Sequence, residues 1–124
     1  GKKFELNIPE VFLGDEKLLK AVLRGIFDTD GGIYLEKKNG KLYPRAYIST
    51  ISKELADQLH GSLNRLGLKA TVYSELNDKD FNRQRIYIVS VRGVDMLHKL
   101  FDKIRPKNQK HLDKYQFFLK SKTL

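Results

Sequence analysis

The sequence predicts an α+β fold: an antiparallel four-stranded sheet with helices on one face, in the order αββαββα followed by one more helix. Three observations predict it. Apolar residues recur at helical spacing in four segments, two-residue alternation marks four others, and the alternating segments come in adjacent pairs between the helices. Paired strands suit an antiparallel sheet; single strands alternating with helices would have suited a parallel one.

Residues 1–14 read as an irregular start to a single domain spanning residues 1–124. Asp15 then caps a helix whose Leu18, Leu19, Val22, Leu23, Ile26 and Phe27 recur at helical spacing, and Gly31 and Gly32 end it. "IYLEKKNGKLYPRAYIST" follows as two strands about Asn39-Gly40, a dipeptide that accepts the positive φ angles of a tight hairpin turn. Pro44 argues for an edge or a strand start. Ser52 caps a second helix, "KELADQLHGSLNRLG", which carries Leu55, Leu59, Leu63 and Leu66 on one face and closes at Gly67. The second strand pair is "KATVYSE" and "RQRIYIVSV", joined by the polar "LNDKDFN". A third helix over "VDMLHKLFDKI" stops before Pro106, and a fourth covers "KHLDKYQFFLKS". A weak ββα echo links residues 33–67 with 68–104.

Composition narrows the function. Twenty-four Lys and Arg against fifteen Asp and Glu give a net charge of +9, which suits a partner with a phosphate backbone or an anionic surface, or simply a soluble basic protein. The excess is uneven: residues 1–62 hold ten basic and nine acidic side chains, residues 63–124 fourteen and six. With no cysteine there are no disulfides, thiolate zinc sites or cysteine nucleophiles. No apolar run is long enough to span a bilayer, and a cytoplasmic chain, organellar or nuclear in a eukaryote, is expected.

Alternation assigns the strand faces. Ile33 and Leu35, Ala46 and Ile48, Ala70 and Val72, and Ile86 and Ile88 are expected to face the helices. That leaves Tyr34, Glu36 and Lys38, then Arg45, Tyr47 and Ser49, then Lys69, Thr71 and Tyr73, then Arg83, Arg85 and Tyr87 on the other side. A sheet face this basic, aromatic and rich in hydrogen-bonding groups can enter the major groove of duplex DNA; a solvated sheet face is the plainer reading.

The first long helix breaks two local rules. Gly25 lies inside it, at a cost of about 1 kcal/mol relative to alanine. Ala21 and Gly25 are one turn apart, and small residues at that spacing let a second helix approach closely. Asp28 and Asp30 stand at the negative end of the helix dipole, disfavoured by roughly 0.3–1 kcal/mol each. A divalent cation would compensate them, since Mg²⁺ takes one or two carboxylates together with phosphate and water. Two copies packed along Ala21 and Gly25 would bring their aspartates together about a phosphodiester, the arrangement of metal-assisted hydrolysis. Capping of a turn is the alternative for these acids.

"LRGIFDTDG", Leu23 to Gly31, resembles the motif of the LAGLIDADG homing endonucleases, matching at Leu23, Gly25, Asp28, Asp30 and Gly31 with apolar replacements at Ile26 and Phe27. Arg24 and Thr29 depart from the alanines of the consensus. The order of elements is similar to the family's αββαββα core, and "RPKNQKHLDKYQFF" to its basic C-terminal segment.

The resemblance implies a saddle-shaped sheet over the DNA major groove and motif helices packed together at a twofold interface, here through Ala21, Val22, Gly25, Ile26 and Asp28. It assigns metal binding (Mg²⁺, or another divalent cation such as Mn²⁺) to Asp30 with the Thr29 carbonyl, and leaves Asp28 mainly structural. Lys110, or else Lys107, would assist the attacking water or the transition-state charge, and Lys107 would otherwise contact DNA. Thr50 stands near the polar residue that orients water in several members, although it is not the glutamine often found there. The single motif implies a homodimer on a near-palindromic duplex target, unless the chain is half of a two-motif protein or part of an intein. Expected, then, is a metal-dependent site-specific endonuclease. An inactive DNA-binding regulator with this fold, an RNA-binding intron maturase, and a scaffold or RNA-binding domain with a coincidental motif are the alternatives.

The histidines at 60, 98 and 111 show no metal-ligand spacing and suit helix-surface or core positions. Neither a Ser-His-Asp set nor a nucleotide-phosphate loop can be picked out, and no small-molecule cofactor is expected.

Overall fold

The computed structural model of the chain describes residues 7–76 and 84–121. Its elements are α1 (Glu10–Leu13), α2 (Glu16–Asp30), β1 (Gly31–Lys38), β2 (Lys41–Thr50), α3 (Lys53–Arg65), β3 (Thr71–Leu76), β4 (Arg85–Arg92), α4 (Val94–Ile104) and α5 (Gln109–Ser121). The strands form one antiparallel sheet in the order β1-β2-β4-β3. This is the α+β order expected, with one addition. α1 is a single helical turn inside the stretch read as irregular, too short to show a period. Side chains of α3 tie this start down: the Ile8 N–H donates to Gln58 Oε1 at 2.6 Å, Gln58 Nε2 donates to the Ile8 carbonyl at 3.0 Å, and Arg65 Nη1 donates to the Leu13 carbonyl at 2.8 Å.

Asp15 caps α2 as predicted, its Oδ1 accepting the Leu18 N–H at 3.0 Å. Leu19, Leu23 and Phe27 form the buried stripe of the helix. The chain passes from Asp30 into β1 with no intervening loop, and the two glycines make that possible through space rather than through a left-handed cap. Gly31 is extended (φ −101°, ψ 174°), and a Cβ there would lie 2.6 Å from the Phe27 carbonyl oxygen and 2.9 Å from that of Tyr47. A Cβ on Gly32 would meet the Tyr47 ring and its hydroxyl, the latter at 2.5 Å.

The hairpin turns at Asn39 and Gly40, with φ of 51° and 80°, a pair of positive angles that matches the twist of the flanking strands. Pro44 lies inside β2 rather than at its start. Its carbonyl receives the Gly93 N–H at 3.0 Å, just past the end of β4, so its missing N–H falls where no strand asks for one. At the end of α3, the Gly67 N–H reaches the Asn64 carbonyl and the Leu68 N–H the Leu63 carbonyl, a Schellman closure with Gly67 at φ 82° and Leu63 and Leu68 both buried.

One strand departs from its expected phase. Ala46 pairs with Val91, Ile48 with Val89 and Thr50 with Tyr87, so Tyr87, Val89 and Val91 face the helices while Ile86, Ile88, Ser90 and Arg92 face the open side. Arg85 shares the helix-side phase, and its Nη1 donates to Ser74 Oγ at 2.8 Å. The predicted placement of Arg85 and Tyr87 on the open face is thereby corrected. "IYIVSV" is apolar at nearly every position, so alternation alone does not set its register. Burial of Val89 and Val91 between sheet and helices does. Arg83 lies outside the described residues.

The core gathers Ile33, Ala46, Ile48, Val89 and Val91 from the sheet against α2, α3 (Leu55, Leu59), α4 (Leu97, Leu100, Ile104) and Phe118 of α5. Each such large side chain contributes about 1.5–3 kcal/mol by leaving water.

Candidate nucleic-acid interface and the acid-ended helix

Antiparallel pairing puts partnered side chains on the same face, so the registers define the open side of the sheet row by row. Tyr34, Arg45 and Arg92 make one row, Gly32, Tyr47, Ser90 and Thr71 a second, and Ser49, Ile88 and Tyr73 a third. Tyr34, Arg45, Tyr47, Ser49, Tyr73 and Ile88 line a shallow concavity of about 260 Å³. Eight of the residues expected on this face are therefore there: Tyr34, Glu36, Lys38, Arg45, Tyr47, Ser49, Thr71 and Tyr73. Arg92, Tyr43 and Ile88 were missed. Arg92, at the other end of β4 from Arg85, is the arginine that this strand gives the open face, and Ser90, a polar residue between two valines, is the sequence signal for that phase. Lys69 is not in the strand; it stands ahead of β3 with φ 46°, so alternation does not orient it. Glu36 accepts ion pairs from Lys38 Nζ at 3.5 Å and Arg45 Nη2 at 3.8 Å. Part-exposed pairs of this kind hold a side chain only weakly, leaving Arg45 available to a ligand.

The aspartates at the tip of α2 have opposite surroundings. Both oxygens of Asp28 are engaged within the chain: Oδ2 accepts the Lys107 N–H at 2.9 Å and Oδ1 the Asn108 N–H at 3.1 Å. Asn108 Nδ2 donates back to the Asp28 carbonyl at 2.7 Å, and its Oδ1 accepts the Lys110 N–H at 2.9 Å. The start of α5 is thus latched to the end of α2. Its positive dipole end supplies the compensation that Asp28 needs. Asp28 therefore spends both carboxylate oxygens within its own chain. Asp30 is exposed, and no hydrogen bond or ion pair among the described residues engages its carboxylate.

His111 completes the latch from the core side. It is buried, its Nε2 lies 3.0 Å from the Phe27 carbonyl, and its ring tilts against Phe27 with centroids 4.5 Å apart. That nitrogen must carry the proton to donate. Of the other candidates, the Thr29 hydroxyl donates to the Gly25 carbonyl at 2.9 Å, and the Thr29 carbonyl is among the last four of the helix, which have no partner within it. Lys107 and Lys110 are exposed on the latched segment. Thr50 shares the helix-side phase of Ile48 and its hydroxyl accepts the Ser52 N–H at 3.1 Å, so it starts α3 and does not join the open face. Among the described residues no three His, Cys, Asp or Glu side chains converge on one point.

Away from the core, α2 presents Leu18, Ala21, Gly25 and Thr29 to solvent. A Cβ on Gly25 would meet nothing within 4 Å. Val22 and Ile26 are half-buried and pack against the core as well as flanking this stripe.

The molecule is thus an α+β domain with a basic, tyrosine-rich open sheet face, entered from a helix whose last carboxylate has no partner among the described residues. Residues 17–105 match the family described as LAGLIDADG-like domain, and the chain belongs to the LAGLIDADG homing endonucleases. That family binds DNA, and the basic open face of the sheet is consistent with such a partner. Three proteins of the archaeon Methanocaldococcus jannaschii are similar. The ATP-dependent DNA helicase Hel308 is 27% identical over 114 residues, which are 86% of this chain and 9% of the helicase. The uncharacterized protein MJ0314 is 31% identical over 65 residues, 52% of this chain and 25% of that protein. MJ1054, also uncharacterized, is 31% identical over 98 residues, 78% and 10% of the respective chains. The chain therefore spans a quarter or less of each relative. No helix among the described residues is long and apolar enough to cross a membrane.

Proposed function

We propose that the protein is a site-specific endonuclease that hydrolyses duplex DNA with a divalent metal and acts as a homodimer. The carrying observation is the contrast at the tip of α2: both carboxylate oxygens of Asp28 are held by the α5 latch, while Asp30, two residues on, is exposed and has no partner among the described residues. An unpaired acid at the negative end of a helix is unfavourable unless something cationic visits it.

One carboxylate is too few for a resident ion, yet it fits Mg²⁺, which commonly takes one or two carboxylates and fills its remaining positions with phosphate and water. In a dimer, Asp30 and the Thr29 carbonyl of each copy would hold the metal, which lowers the pKa of bound water and stabilises the leaving oxygen. DNA would lie along the open face, with Arg45 and Arg92 suited to guanine edges and Tyr34, Tyr47, Ser49, Thr71 and Tyr73 to mixed contacts. Lys110, with Lys107 beside it, would place positive charge near the scissile phosphate. The α2 stripe of Ala21 and Gly25, which nothing among the described residues covers, supports the dimer.

The test is cleavage of a random duplex library in Mg²⁺ by wild type and Asp30→Asn. Cutting by the wild type alone, with the substituted protein still binding the selected target, is the expected result. Since Asp30 is exposed, stability should change by no more than about 0.5 kcal/mol. Binding without cutting in either protein would leave a DNA-binding regulator instead.

A further inference from the structure

Arg24 is the charged residue of the motif stretch that the proposed function does not use. Its Nε donates to the Ile104 carbonyl at 2.7 Å, which pins the guanidinium across the end of α4. Around it, a concavity of about 260 Å³ is lined by Glu16, Lys17, Lys20 and Arg24 of α2 and by Asp102, Lys103 and Arg105 at the end of α4. Five cations there face two carboxylates. Lys20 pairs loosely with Glu16 at 3.9 Å; the side chains of Lys17, Lys103 and Arg105 make no ion pair or hydrogen bond among the described residues.

This charge exceeds what the fold requires. The carbonyl end of α4 carries roughly half a negative charge, which Arg24 alone would offset. Arg105 adds a second observation: it holds φ 54°, a left-handed conformation that costs a residue with a Cβ about 1–2 kcal/mol and that glycine would adopt freely. A cation stands where glycine would be more stable. The lining includes no apolar or aromatic side chain to anchor a folded protein partner, so the surface suits a polymer of regularly spaced negative charge.

We infer that this groove, which shares no residue with the open sheet face, holds the phosphodiester backbone of duplex DNA without regard to base sequence. The inference rests on the reading of the chain as a DNA-binding protein. It places a second contact on the helical layer, outside the segment that the sheet would read.

The test is the salt dependence of binding to a labelled duplex of unrelated sequence. Lys17→Gln/Arg105→Gly removes two groove cations and keeps the fold, because Lys17 is exposed and glycine suits position 105. The slope of log affinity against log salt should become shallower by about 1.8, or 0.9 per lost phosphate contact. Lys53→Gln/Lys114→Gln removes the same charge elsewhere and should change the slope by less than half as much; equal changes in the two proteins would overturn the inference. Tyr34→Ala/Tyr73→Ala removes no charge and should abolish discrimination between selected and unrelated duplexes while preserving the slope. Undiminished discrimination there would count against the sheet reading and not against the groove. A groove-variant loss seen on structured RNA but not on duplex DNA would overturn the duplex assignment.

Discussion

Single residues at the junction of α2 and β1 show how much of this site depends on space. Gly31 and Gly32 read in sequence as a helix stop, and the helix does end there, but the requirement is close approach of other atoms, which is a tertiary fact. The two positions differ in what a methyl group would strike. At Gly31 the obstacles include two backbone carbonyls, at 2.6 and 2.9 Å, which cannot move aside, whereas at Gly32 they belong to the Tyr47 side chain, which can. Gly31→Ala should therefore cost about 2–3 kcal/mol in urea unfolding and Gly32→Ala about 1 kcal/mol or less. The second substitution should nonetheless weaken target discrimination, because it moves Tyr47 on the open face. Equal costs at the two sites would refute the close-approach account. The aspartates add to this: the resemblance gives them different roles, and the fold gives them different surroundings, with Asp28 held by the Lys107 and Asn108 amides and Asp30 exposed.

Among the elements, those with one apolar face were legible in sequence and those without were not. Asp15 and Ser52 cap their helices as predicted, because a cap is a local hydrogen bond, and Asn39-Gly40 turns its hairpin because the positive φ angles are a property of the dipeptide. β4 failed because Ile86, Ile88, Val89 and Val91 offer apolar groups to both faces, so a one-residue change of phase leaves its pattern nearly intact. The latch between α2 and α5 was invisible for another reason: Asn108 and Asp28 are 80 positions apart, and neither breaks a local rule that names the other. Asn108 both caps α5 through the Lys110 N–H and clamps α2 through the Asp28 carbonyl, so Asn108→Ala removes interactions at two helix ends. A loss of about 1–3 kcal/mol is expected, with faster amide exchange at the start of α5. If Lys110 acts from that segment, cleavage should fall by more than binding does. Equal losses in cleavage and binding would show that the latch serves stability alone.

At the scale of the molecule, the question is what covers the outward side of α2, and Gly25 separates the answers. Among the described residues of one chain this glycine has no packing role, since a Cβ there would meet nothing within 4 Å. Alanine at this exposed helical position should therefore stabilise an isolated chain by about 0.5–1 kcal/mol. If two α2 helices cross through Ala21 and Gly25, the same methyl group intrudes on the contact and holds the backbones apart. Gly25→Ala would then strengthen the fold at low protein concentration yet weaken association, and Gly25→Leu would weaken it further. Sedimentation equilibrium measures the dimer constant, and thermal unfolding over a dilution series measures the stability linked to it, because a dimer's midpoint rises with concentration and a monomer's does not. Opposite changes in the two quantities are the expected outcome. A gain in stability with an unchanged dimer constant would mean that association, where it occurs, uses another surface, and the two Asp30 carboxylates would then have no reason to meet.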